Sequence, residues 1–114
     1  MLNQVILVGR LVEQPTTKKV NESEVANITL AVQRSYKNAN GEYETDFIDC
    51  VLWNGVATNT AEYCKKGDLI GVRGRIQVST YETEEGNKRK SVEVVAEKVT
   101  FLSTKKLSEE NEEE

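Results

Sequence analysis

The 114-residue chain predicts an all-β fold, a five-stranded barrel with one short helix between its third and fourth strands. Three observations carry this expectation. Met1 to Leu102 divides into alternating runs rich in β-branched residues, and these runs are separated by turn residues. A single segment, Gly55 to Lys66, has helical spacing instead, with Ala57, Thr60, Ala61 and Cys64 recurring every three or four positions. The one proline, Pro15, falls between runs, where its missing N–H interrupts no ladder.

In chain order the strands are Asn3 to Val12, Glu24 to Tyr36, Tyr43 to Trp53, Leu69 to Ser79 and Lys90 to Leu102. Lys37 to Glu42 contains Asn-Ala-Asn-Gly, a hairpin turn between the second and third strands. Glu84-Glu85-Gly86-Asn87 makes the equivalent turn between the fourth and fifth. The helix is expected to carry Lys65 and Lys66 in its last turn and to stop at Gly67. Three strands, a helix and two more strands, long enough to bend into closure, is the order of an OB-fold barrel. Gly71 and Gly74 then read as bend or bulge positions. Residues 1–103 form the expected domain, and 104–114, without apolar periodicity, an acidic disordered tail.

One domain is what this length accommodates. No apolar run approaches the roughly 18 residues needed to span a membrane, and Met1 to Arg10 lacks the pattern of a secretion signal, so a cytoplasmic location is expected. The glycosylation pattern Asn27-Ile28-Thr29 has no bearing there. With no histidine and only Cys50 and Cys64, a zinc site of the usual ligands is excluded, and neither metal nor cofactor is expected. Both cysteines fall on apolar faces and read as buried free thiols. The net charge of −4 is uneven: setting aside the five glutamates of Glu109 to Glu114 leaves 15 basic against 14 acidic residues. Overall sign therefore does not exclude a polyanion, which binds to a local patch.

Only seven residues are aromatic, so their positions are informative. Phe47 and Trp53 are six apart in one strand and project from one face with Asp49 and Val51, whereas Ile48, Cys50 and Leu52 form an apolar opposite face. Tyr36 ends the second strand, flanked by Arg34 and Lys37. Tyr81 follows the fourth strand, on which Arg73 and Arg75 share a face. Rings interleaved with cations suit a flexible single strand, because every base has a face to stack and every nucleotide a phosphate to neutralise. Aromatics in strands more often pack in cores, and strand arginines are more often merely solvated; Tyr43, Tyr63 and Phe101 are left in that class as edge, helix and core residues.

The sequence also resembles the bacterial single-stranded-DNA-binding protein family over nearly all of Met1 to Ser103. The resemblance lies in Asn3-Gln4-Val5-Ile6-Leu7-Val8-Gly9-Arg10-Leu11, Val25-Ala26-Asn27-Ile28-Thr29-Leu30-Ala31-Val32 and Asp46-Phe47-Ile48-Asp49-Cys50-Val51-Leu52-Trp53, which are similar to the family's first three strands. It continues in Glu62-Tyr63-Cys64-Lys65-Lys66-Gly67, at its helix end, and Val92-Glu93-Val94-Val95-Ala96-Glu97, in its fifth strand. It implies that Tyr36, Phe47, Trp53 and Tyr81 stack on bases and that Arg10, Arg34, Lys65, Lys66 and Arg75 contact phosphates; Lys37 and Arg73, interleaved with the rings, are DNA-binding candidates from their placement. It further implies sequence-independent binding and protection of single-stranded DNA in replication, recombination and repair, by a nucleoid-associated homotetramer. The chain departs from the family at its end, where Glu109-Glu110-Asn111-Glu112-Glu113-Glu114 is acidic but lacks a final proline and phenylalanine. Recruitment of replication and repair proteins is therefore not implied, and the tethered carboxylates are expected to compete with DNA for the basic groove.

Two other classes of function were weighed. An enzyme lacks support: Asp46 and Asp49 lie on opposite strand faces, Glu82, Glu84 and Glu85 crowd a turn, and no phosphate-binding loop is present. Gly71 to Gly74 matches the Gly-x-x-Gly of a KH loop but lies in a strand. A barrel of the same fold binding a protein or structured RNA through the same aromatics remains open.

Overall fold

A computed structural model describes residues 1–102, and the acidic segment 104–114 lies outside the described residues. Six strands and one helix follow one another: β1 (Val5–Leu11), β2 (Lys18–Val20), β3 (Ser23–Lys37), β4 (Tyr43–Trp53), α1 (Asn54–Tyr63), β5 (Leu69–Glu82) and β6 (Lys88–Phe101). The sheet order is β1-β5-β6-β4-β3-β2, and β1 also pairs with β3, which closes β1, β3, β4, β6 and β5 into the expected five-stranded barrel. All pairings are antiparallel except β4 with β6, which run parallel through Cys50↔Val94 and Val51↔Val95.

Strand alternation sorts the side chains. Ala26, Ile28 and Leu30 of β3, Cys50 and Leu52 of β4, Ile70 and Val72 of β5, and Val94 and Ala96 of β6 point inward and form the core with Leu11. α1 adds Ala57 to it, and Cys64, just beyond the helix, completes the seal. Burial pushes the Cys50 thiol up to about 12, with Asp49 adding to the effect, and the Cys64 thiol up to about 11, with Asp68 adding. Both are free and stay protonated at neutral pH, packing as small hydrophobes.

Two close backbone approaches make closure possible. A Cβ on Gly9 would stand 2.6 Å from the Ala31 carbonyl oxygen, where β1 leaves β5 and meets β3. A Cβ on Gly74 would stand 2.1 Å from the Val95 carbonyl oxygen. Here the β5–β6 register shifts: Arg73 pairs with Lys98 and Gly74 with Ala96, so β6 carries Glu97 as an extra residue. The sequence reading of Gly74 as a bulge position therefore holds, whereas Gly71 pairs regularly with Val8 and Thr100 and has room for a Cβ.

Three further expectations need correction. β2 was not anticipated; it is three exposed residues joined to β3 by a two-residue turn with Asn21 at φ 58°, too short for any periodicity to register. The helix stops at Tyr63, before Lys65 and Lys66. Cys64 becomes extended and is drawn into the core, and the lysines enter a turn in which the Lys65 N–H donates to Asp68 Oδ2 at 2.8 Å and Gly67 takes φ 89°. Phe101 is not a core residue but a partly exposed ring set against Tyr63, 6.0 Å between centroids.

Replacing Gly74 by alanine is expected to lower the unfolding free energy by about 1–3 kcal/mol, because backbone rather than a yielding side chain blocks the new methyl group. The Gly71→Ala change is expected to stay within about 1 kcal/mol. Denaturant unfolding of the two variants checks the contrast.

Candidate nucleic-acid interface

The outward faces of the strands carry the candidate residues. On β4 these are Tyr43, Thr45, Phe47, Asp49 and Trp53, every second residue apart from Val51, which has the same parity but is buried. The Thr29 hydroxyl donates to Asp49 Oδ1 at 3.0 Å, across the Thr29↔Asp49 pair, which confirms that this parity lies outside the core. Phe47 is 67% exposed and Trp53 41%, far more than core rings are.

Trp53 owes its position to the strand-to-helix junction. It is the last residue of β4, opposite Val25, and the next residue, Asn54, takes the left-handed φ of 52° that turns the chain into α1. Asparagine tolerates this conformation better than most residues. Its Oδ1 also accepts a hydrogen bond from the Glu24 N–H at 3.2 Å, which ties the turn to β3.

Register brings Arg10 to Phe47. Arg10 of β1 pairs with Ala31 of β3, and Ala31 pairs with Phe47 of β4, so all three project outward in one row with only a methyl group between the cation and the ring. Two strand spacings separate them by roughly 10 Å. An open cleft of about 410 Å³ follows this row, lined by Val8, Gly9, Arg10, Ala31, Gln33 and Thr45 together with Leu69. Arg10 Nη1 donates to the Gly67 carbonyl at 3.1 Å, which places the Lys65–Gly67 turn, with its two exposed lysines, beside the same row.

A second row crosses the barrel through Asn27, Val51, Val95 and Arg75, on β3, β4, β6 and β5. Arg75 thus shares the outward face of Phe47 and Trp53, two strands from β4, and donates to Gln77 Oε1 at 3.0 Å. Arg73 has the same parity on β5, opposite Ile6 of β1. Tyr81 lies on that parity too, 53% exposed and opposite Arg89, but six residues further along, toward the β5–β6 turn. A distance of ~20 Å separates it from Arg75.

Arg34 and Tyr36 stand differently. Arg34 grips Asp46 in a two-pronged contact, Nη2 to Oδ1 at 3.0 Å and Nε to Oδ2 at 3.1 Å, and also donates from Nη1 to Glu44 Oε2 at 2.6 Å. Asp46 and Glu44 have the opposite parity to Phe47, so this cation faces away from the aromatic row and is already neutralised. The hydrogen bonds to Asp46 and its charge, with smaller contributions from Tyr36 and Glu44, hold Arg34 protonated beyond its ordinary range. In return the Arg34 guanidinium holds the Asp46 carboxyl below its ordinary value. Tyr36, 64% exposed, falls where β3 shifts register between Gln33 and Lys37, and has no paired residue on β4.

Tyr43 was left with the edge residues, yet it belongs to the aromatic face. It pairs with Lys37, whose Nζ lies 5.7 Å from the ring centroid. The two-residue period that groups Phe47 with Trp53 also reaches Tyr43, so the signal was present in the sequence. A larger cleft, about 630 Å³, opens between α1 and β6. It holds Glu97 beside Lys98, so its one cation has a carboxylate next to it, and among the described residues no group of acidic, cysteine or histidine side chains is arranged to hold a metal ion.

A closed five-stranded barrel with outward aromatics flanked by cations is the architecture of an oligonucleotide-binding protein. Residues 2–102 match the model of the single-strand binding protein family, and the chain belongs to that family. It is 51% identical over 106 residues to single-stranded DNA-binding protein B of Bacillus subtilis, covering 92% of this chain and 94% of that protein. Against single-stranded DNA-binding protein 1 of Clostridium acetobutylicum the identity is 45% over 107 residues, covering 92% and 97%. The single-stranded DNA-binding protein of Halalkalibacterium halodurans is 52% identical over 103 residues, 90% of this chain and 61% of that protein.

The Arg34 contact generates a pH prediction. Asp46 is depressed in the folded protein, so its stabilising contribution is complete above the ordinary value of 3.8 and is lost only as pH falls through the lower folded value. In an NMR pH titration the Asp46 carboxyl carbon is expected to titrate below 3.8, and Arg34→Met to return it to about that value.

Proposed function

We propose that the chain binds single-stranded DNA without reading its sequence, in a non-catalytic role, through bases stacked on Phe47 and Trp53 and phosphates held by Arg10, Lys65, Lys66, Arg73 and Arg75. The observation that carries this reading is the row Arg10, Ala31, Phe47: a free ring and a cation on one face, separated by the smallest side chain that leaves a floor for a base. Stacking contributes roughly 1–3 kcal/mol per base and tolerates any base, so specificity falls on single-strandedness. Tyr36 and Tyr81 extend the path toward the two hairpin tips, consistent with their exposure. Arg34 acts by bracing the β3–β4 hairpin through Asp46 and Glu44 more than by meeting phosphate directly.

Residues 1–103 are the proposed binding domain, and the acidic segment 104–114 a tail appended to it. Protection of exposed strands in replication, recombination and repair follows from binding of this kind, in a cytoplasmic, nucleoid-associated protein. No helix among the described residues is long and apolar enough to cross a membrane. Assembly into a homotetramer is supported by β1. Its outward Ile6 and Val8 are exposed, and the edge it turns toward β3 is paired only at Arg10 and Leu11, leaving backbone groups open to a second copy.

Trp53 is the only tryptophan, which makes the test direct. A thymine oligonucleotide is expected to quench its fluorescence, with log affinity falling against log salt at a slope of about −0.7 per neutralised phosphate. Phe47→Ala is expected to weaken binding about tenfold. Absence of quenching, or equal affinity for duplex DNA, contradicts the proposal.

A further inference from the structure

We propose that Tyr43 is a further base-stacking platform, with Lys37 as its phosphate contact, so that the binding face continues from the barrel onto the β3–β4 hairpin. The inference rests on the single-stranded-DNA reading above and extends it to a residue pair outside the barrel wall.

Four observations support it. Tyr43 has the parity of Phe47 and Trp53 on β4, four residues from Phe47, which places it ~13 Å farther along the same face. Its ring is 48% exposed, so its neighbours on the barrel do not occupy it. Lys37 is its direct cross-strand partner, with Nζ 5.7 Å from the ring centroid. Among the described residues this ammonium has no carboxylate within ion-pair distance, whereas Arg34, three residues earlier, has two.

The pair is also held in place. The Lys37↔Tyr43 rung is followed at once by a closed turn: Asn38 N–H donates to the Glu42 carbonyl at 2.8 Å, and Asn38 Oδ1 accepts from the Asn40 and Glu42 N–H groups at 2.9 and 3.0 Å. On the other side, Arg34 ties β3 to Glu44 and Asp46 of β4. Lys37 and Tyr43 therefore sit between two fastenings, and ordering them on a strand costs less than ordering a loose loop. The cation–ring contact is weak at an exposed site, so the ammonium can exchange the ring for a phosphate while a base takes the ring.

Two measurements test the proposal on the full chain. In a Trp53→Phe background, Tyr43→Trp places the only tryptophan at the hairpin, and a long thymine oligonucleotide is expected to quench it. Separately, Tyr43→Leu is expected to weaken binding about fivefold with an unchanged salt slope, and Lys37→Gln to reduce the magnitude of that slope by about 0.7. Since Tyr43 is half exposed and outside the core, these changes leave the fold intact. If Trp53 of the unmodified protein responds to the oligonucleotide but tryptophan at position 43 does not, the hairpin proposal fails and the barrel reading stands. If Trp53 itself is silent, both fail. Full affinity in Tyr43→Leu overturns the hairpin proposal in the same way.

Discussion

Closure of the barrel depends on backbone passing backbone at distances that exclude a side chain. β1 pairs with β5 over Val5 to Arg10 and reaches β3 only at Arg10 and Leu11, crossing Ala31 where residue 9 has no Cβ. β5 passes β6 at Gly74 in the same way, and the extra residue Glu97 lets β6 bend there. Once the sheet is closed, strand alternation leaves each side chain two options, inside or out. Leu30, Leu52, Ile70 and Val72 take the inside, and the positions between them, Arg10, Phe47, Trp53 and Arg75 included, are left on the outer surface. The proposed binding face is thus the complement of the core.

Charge is local and unequally compensated across the barrel. Arg34 is neutralised by Asp46 and Glu44 and stiffens the hairpin. Among the described residues, Arg10 bonds to a backbone carbonyl, Arg75 to a neutral amide and Lys37 lies against a ring, each a partner that phosphate can replace or share. A chain with net charge −4 thus still presents, on its outer surface, cations whose partners among the described residues are neutral.

Much of this was legible from residue pattern because the strands are long and regular. The alternation of Ile48, Cys50 and Leu52 against Phe47, Asp49 and Trp53 is a period of two, and the structure follows it except at Val51, expected outside with the rings and found buried at 7%. Three residues of β2 hold no period to read. Gly67 resembles a helix stop, but the helix already ends at Tyr63, and Cys64, extended beyond it, still reaches the core that helical spacing aims it at. Arg34 beside Tyr36 looks like a binding pair in one dimension. Its carboxylate partners lie 10 and 12 residues away across a hairpin, and only the register with β4 reveals them. Tyr43 is hard to single out for the opposite reason, since its place in the outward row of β4 and its pairing with Lys37 across the hairpin are both invisible in its sequence neighbours.

In the proposed complex, single-stranded DNA lies across the outer face of β1, β3 and β4 and passes over β5. Backbone amide shifts of the isotopically labelled chain on addition of a thymine oligonucleotide locate the ligand residue by residue. The largest changes are expected along Arg10, Ala31, Phe47 and Trp53, with a second group around Arg75. Changes concentrated in the α1–β6 cleft, at Gly55, Asn59 and Lys98, with the outer rows unmoved, would contradict it.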